Sequence, residues 1–194
     1  MSMDLQSRFD FLIERLRDAY DGIGHSSGRP FVYFVYDPEK ENRVRLLMQQ
    51  HLQSDQHLTF HHLDLLDITL ESLSGQEEER EALLNDPDAT GSTDGIVRLW
   101  KRQTFRAIAA ALQQSGEEER PVIVLQGLAA LHPLTTPTAL IEYLAEQEPR
   151  HPSTKRMVPI VVFIPGAVPP QTSHIYDFLG QAHLRQNFYR GEEI

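Results

Sequence analysis

The chain has 194 residues, with 18 Lys and Arg against 28 Asp and Glu, a formal net charge of −10. At roughly 100–200 residues per domain this is one domain, able to bury roughly 70% of its unfolded surface without a metal or disulfide staple. A composition of 40% hydrophobic and 24% charged residues with no cysteine excludes a disordered chain, a disulfide scaffold, a thiolate zinc site, an iron–sulfur cluster and a cysteine nucleophile.

Leu5, Phe9, Leu12, Leu16 and Tyr20 recur at helical spacing, which predicts a helix over 4–20. A Gly/Ser stretch, Gly22 to Gly28, ends it. Phe31-Val32-Tyr33-Phe34-Val35-Tyr36 reads as a buried strand stopped by Asp37-Pro38. Good helix formers follow from Glu39 to about Gln53, then a second strand over Leu58–Asp64. Leu65 to Leu84 reads as helix broken at Ser74-Gly75, and Asn85 to Ser92 as a loop. Thr93 or Asp94 can cap a long helix running to about Gln114. Pro121–Leu125 is a third strand and Thr138 to about Glu146 a short helix. Val158–Ile164 is a fourth strand ended by Pro165-Gly166, and Asn187-Phe188-Tyr189 a short last one.

Nearly all-apolar strands alternating with helices define a single-domain, three-layer α/β fold on a parallel sheet, Rossmann-like or P-loop-like. The α/β body spans 30–194 behind the first helix. Ligands of this architecture sit beyond the carboxyl ends of the strands. That singles out Asp37 after strand one, Asp64 and Asp67 after strand two, Gln126 and Gly127 after strand three, and Pro165 and Gly166 after strand four.

Several motifs match a pattern and fail on context. Gly24-His25-Ser26-Ser27-Gly28 fits G-x-S-x-G, but a nucleophile elbow needs a strand before it and a helix after it, and here the order is reversed. Asp86-Pro87-Asp88-Ala89-Thr90-Gly91 begins like a calcium loop, yet Val97 stands where the bidentate Glu belongs. The turn after strand one, Asp37 to Arg43, has no glycine and three acidic groups, so there is no Walker A loop. No G-x-G-x-x-G turn follows any strand. The nine histidines are scattered, and adjacent His61 and His62 point to opposite faces of their strand. No cofactor and no metal is expected.

Arg98, Arg102 and Arg106 form an i, i+4, i+8 row on the long helix, with Lys101 beside it. It reads first as a solvated face opposite Val97, Trp100, Ile108 and Leu112, and second as a seat for an acidic partner or a nucleic acid. Arg150/Lys155/Arg156 and Arg185/Arg190 read the same way. A net charge of −10 argues against direct nucleic-acid binding as the main task. The start, Met1-Ser2-Met3-Asp4-Leu5, lacks a basic segment leading into an apolar run, and no apolar stretch approaches the roughly 20 residues of a membrane span. The expectation is a cytoplasmic protein without a membrane anchor.

Four stretches, in order, resemble the BrxB family. They are Pro30 to Glu39, an apolar strand running into Asp-Pro-Glu; Val122 to Leu128 through Pro133-Leu134; Pro159 to Gly166, an apolar strand ending in Pro-Gly; and Asn187-Phe188-Tyr189-Arg190. Phe178-Leu179 sits where the family carries an apolar pair. The chain departs from the family pattern at Ala129-Ala130, at Thr135-Thr136-Pro137 and at Ile164. The resemblance implies a component of a bacterial BREX anti-phage defence system. It further implies a non-catalytic, assembly role among other BREX proteins, with the alkaline-phosphatase-like PglZ as the expected partner. The competing reading from the fold alone is a small α/β enzyme or nucleotide-sensing module with its site at the strand ends.

Overall fold

The computed structural model describes residues 3–22, 30–75, 78, 81–82, 85–86, 92–170, 174–189 and 191–194. Helix α1 spans Leu5–Ala19 and is capped by Asp4, whose carboxylate accepts the Ser7 N–H at 3.0 Å. The all-apolar run Phe31–Tyr36 forms β1, buried along its whole length. Pro38 opens a 3-10 turn, Pro38–Lys40, that leads into α2, Glu41–His51. Strand β2 is Thr59–Asp64, and α3 follows at once as Leu65–Leu73. The break foreseen at Ser74-Gly75 is the end of α3, with Ser74 as its cap. Most of the rest of the predicted 65–84 helix and of the 85–92 loop lies outside the described residues, as does Gly24–Gly28.

Helix α4 runs from Ser92 to Gln113, followed by β3, Pro121–Gln126. Thr136 caps α5, Pro137–Gln147, by accepting the Ala139 N–H, with Pro137 at the first helical position. Strand β4 is Ile160–Ala167, and three short strands close the chain: β5 (Ile175–Phe178), β6 (Arg185–Asn187) and β7 (Gly191–Glu193).

The main sheet has the order β2-β3-β4-β1-β7, parallel throughout. The chain steps from β1 across two strands to β2, then returns through β3 to β4. Right-handed crossovers in opposite directions place their helices on opposite faces. Side chains accordingly sort by parity. Val32, Phe34 and Tyr36 of β1, with Val122, Val124, Val161 and Phe163, pack under α1 and α2. Phe31, Tyr33 and Val35, with Ile123, Leu125, Ile160 and Val162, pack under α3, α4 and α5. The result is the expected three-layer α/β domain.

Two strand expectations need correction. Pro165 and Gly166 do not end the fourth strand; they belong to it. Pro165 stands opposite Tyr36 in the β1 ladder, and Gly166 stands opposite Phe178 of β5 in an antiparallel pair. A Cβ on Gly166 would lie 2.7 Å from the Asp177 carbonyl oxygen, so only glycine lets β5 approach this closely. Of the last predicted strand, 187–189, only Asn187 is in a strand, as the end of β6, and Phe188 and Tyr189 lie between β6 and β7. Phe188 is a packing residue there, with its ring 4.9 Å from that of Tyr33 and 5.0 Å from that of Tyr176.

Candidate functional site

A parallel α/β sheet offers its crevice where neighbouring strands send their connections to opposite faces. Here that point lies between β1, which leads to α2, and β4. The chain fills it. Past Ile164, β4 continues into the antiparallel β5 and β6, and the Leu179 N–H returns to the Pro165 carbonyl at 2.9 Å. Gly180 comes against the Pro38 ring, 4.0 Å from where its Cβ would be. Asp37, at the end of β1, uses its carboxylate to accept the Glu39 N–H at 3.0 Å as the cap of the 3-10 turn. Three residues singled out in the sequence, Asp37, Pro165 and Gly166, thus meet at the switch point as parts of its framework.

The strand ends on the other side are arranged differently. Asp64 is the cap of α3, accepting the Leu66 N–H at 2.9 Å through one oxygen. Its other oxygen takes Arg45 Nη1 at 2.9 Å, and its side chain is only 10% exposed. Arg45 also donates through Nε to Glu41 at 2.7 Å, and the Tyr36 hydroxyl donates to the second oxygen of Glu41. Gly127 has φ +75, and a Cβ there would run into the Asp64 carboxylate, so the turn after β3 and the Asp64 network are fitted to each other.

Electrostatically the network is self-consistent. Burial, then the bond to anionic Glu41, pushes the Tyr36 hydroxyl well above the ordinary phenol value, keeping it a neutral donor. Partial burial opposes the charge on Arg45, but the hydrogen bonds to Glu41 and Asp64 outweigh it and hold the guanidinium even more firmly protonated. One cation against two carboxylates leaves the cluster with one net negative charge.

Beside the network, between α2, the 52–55 loop and β2, lies a cleft of about 450 Å³. Arg45, Gln49, Gln53, His62 and Gln126 supply its polar groups, and Met48, Leu52 and Phe60 its apolar wall. Gln126 reaches it because the β2–β3 register sets Gln126 opposite Asp64. His62 Nε2 donates to the Leu52 carbonyl at 2.8 Å. His61 turns the other way and meets Ser115 Oγ at 3.0 Å, in keeping with adjacent positions on a strand. The 52–55 loop also blunts the outer edge of the sheet, since Ser54 Oγ accepts the Phe60 N–H at 2.9 Å.

Asp64, Gln126 and Gly127 stand out in the sequence as strand-end residues; Tyr36, Glu41 and Arg45 do not, and His62 is visible there only as one of two adjacent histidines on a strand. Glu41 and Arg45 carry one readable signal, an acidic–basic i, i+4 pair on a helix starting just past a strand end. Among the described residues no group of three or more His, Asp and Glu could hold a metal.

Of the basic row, Arg98, Arg102 and Arg106 are exposed on α4. Lys101 is half-buried with its ammonium 5.9 Å from the centre of the Tyr143 ring. In the other two basic patches, Arg150 is paired with Glu148 and Arg185 with Asp177, while Arg190 lies outside the described residues. No helix among the described residues is long and apolar enough to cross a membrane. No family model matches the chain, and neither the curated proteins nor the solved structures contain a match.

Proposed function

We propose that this chain is a non-catalytic interaction subunit of a bacterial BREX anti-phage system, working in the cytoplasm as a docking partner of the PglZ component. The observation that carries the non-catalytic part is the filled switch point. The crevice this fold class uses for substrates holds the chain's own β4–β5 extension, and the nearby carboxylates of Asp37 and Asp64 are committed to caps and to Arg45. The BREX part is supported by the four BrxB-like stretches. Three of these are β1, β3 and β4 with their turns, and the fourth packs on Tyr33, whose hydroxyl donates to the Tyr189 carbonyl at 2.6 Å. Residues of that kind maintain a framework and leave the surface free to vary with the partner.

The test is co-expression with a PglZ-type protein from a BREX system, followed by size-exclusion chromatography with light scattering. One peak at the summed mass is the expected result; separate elution at micromolar concentration overturns the reading. A second reading, a small-molecule sensor, rests on the cleft beside Gln126 and Arg45. It predicts that a nucleotide or similar polar ligand raises the melting temperature, because a ligand binding only the folded state stabilises it. A flat thermal-shift screen removes it.

A further inference from the structure

Helix α4 carries a charge the rest of the molecule does not share. From Ser92 to Gln113 it holds one acidic residue, Asp94, against four bases, Arg98, Lys101, Arg102 and Arg106, a net +3 in a protein of −10. Arg98, Arg102 and Arg106 lie one turn apart, on the side away from the buried Trp100, Thr104 and Ile108. Like charges at i, i+4 repel, and on an ordinary solvated helix they are interleaved with acids. Here Arg98 spends one nitrogen on the Asp94 carbonyl at 3.3 Å, and no ion pair neutralises any of the three among the described residues. Helix α3 packs beside α4 and exposes Leu66 (49%) and Leu70 (60%), again one turn apart. Among the described residues the row is thus a basic stripe without an ion-pair partner, on a helix whose neighbour α3 carries two exposed leucines at helical spacing.

We infer that the α4 row is the docking surface for an acidic helix of a partner protein. Successive arginines rise by about 6 Å, the same step that carboxylates at i, i+4 and i+8 make on a facing helix, so the two rows pair in register. In a protein of −10 the row attracts a polyanion locally while the acidic remainder repels it elsewhere, which steers an acidic helix to this face; the one-turn spacing of the arginines is what favours a helix over a nucleic acid. This inference deepens the interaction-subunit reading and rests on it.

The experiment uses the full chain and three fluorescent probes: a helical peptide with Glu at i, i+4 and i+8, an isomer of the same composition with those Glu dispersed around the helix, and a short duplex DNA. Binding is read by anisotropy at about 50 and about 200 mM salt. The matched peptide is expected to bind at least about tenfold more tightly than its isomer. Binding weakens with salt, falls by about tenfold or more in R98E/R102E/R106E, and is intermediate in R98Q/R102Q/R106Q. Circular dichroism checks that both variants keep the wild-type helix content. Equal binding of the two peptides, tighter binding of the duplex, or an unaffected charge-reversal variant overturns the inference. Co-elution separates the two levels. If the wild type co-elutes with the PglZ-type protein and the charge-reversal variant does too, the surface is wrong and the subunit reading stands. If the wild type itself elutes alone, the subunit reading falls.

Discussion

The two halves of the sheet's carboxyl end have opposite characters. Between β1 and β4 the space is closed by apolar packing and backbone pairing: Phe178 and Tyr176 are buried, and β5 closes over Gly166. Over β2 and β3 the strands end in a polar network and an open cleft, with Arg45, His62 and Gln126 facing solvent-accessible space. The same architecture thus has its usual binding position filled and its polar groups gathered one strand-pair away. The switch point of a doubly wound sheet is a geometric opportunity, and a short antiparallel extension is enough to remove it.

The contrast can be broken by mutation, beginning in the closed half. Phe178→Ala removes a fully buried ring from beneath the extension and is expected to cost about 3–5 kcal/mol in urea unfolding. A loss under about 1 kcal/mol would mean that β5 is not packed as described. Gly127→Ala, in the turn after β3, forces φ +75 on a residue with a Cβ and drives that Cβ at Asp64. Its expected cost is about 1–3 kcal/mol. In the open half, Asp64→Ala deletes the α3 cap and a partner of Arg45 and should cost about 0.5–2 kcal/mol by thermal or chemical denaturation. Gln126→Ala, lining the cleft alone, should stay within about 0.5 kcal/mol of wild type.

The smallest effect is a pH dependence. Burial holds the His61 imidazole below its usual value of 6.5, and this outweighs the opposing field of Glu119. The unfolded chain therefore takes up a proton there before the folded one does. Stability from this group is complete above about pH 6.5 and declines as the pH falls through the folded value. His61→Gln should flatten that decline in a series of urea midpoints between pH 7.5 and 5, and an unchanged slope would assign it to other groups.

Legibility in the sequence followed the range of the interactions. Helix α1 was readable because its cap, Asp4, and its buried stripe, Phe9, Leu12 and Leu16, are local. Strands β1, β3 and β4 were readable because each is a continuous apolar run with both faces covered. The β5–β6 pair was not. Ile175–Phe178 is four residues of alternating burial, and Pro165-Gly166 reads as a stop when the partner that makes use of it is unknown. At the candidate site, Asp64 and Gln126 were visible as strand ends. Arg45 was not, since an i, i+4 partner of Glu41 looks like any surface pair. Its contact with Asp64 exists only because the crossover from β1 lays α2 across the end of β2.

The strand order also has a temporal side. Both neighbours of β1, the strands β4 and β7, are encoded after most of the intervening chain. On a ribosome the Phe-Val-Tyr-Phe-Val-Tyr segment therefore emerges long before any partner strand exists, at roughly 5–20 residues per second. A six-residue run of that composition, uncharged and without proline, is a cross-β hazard while it waits. Helices α1 and α2, available on either side of it, can cover only one of its faces. Yield during synthesis should hence depend on how long this one segment stays uncovered.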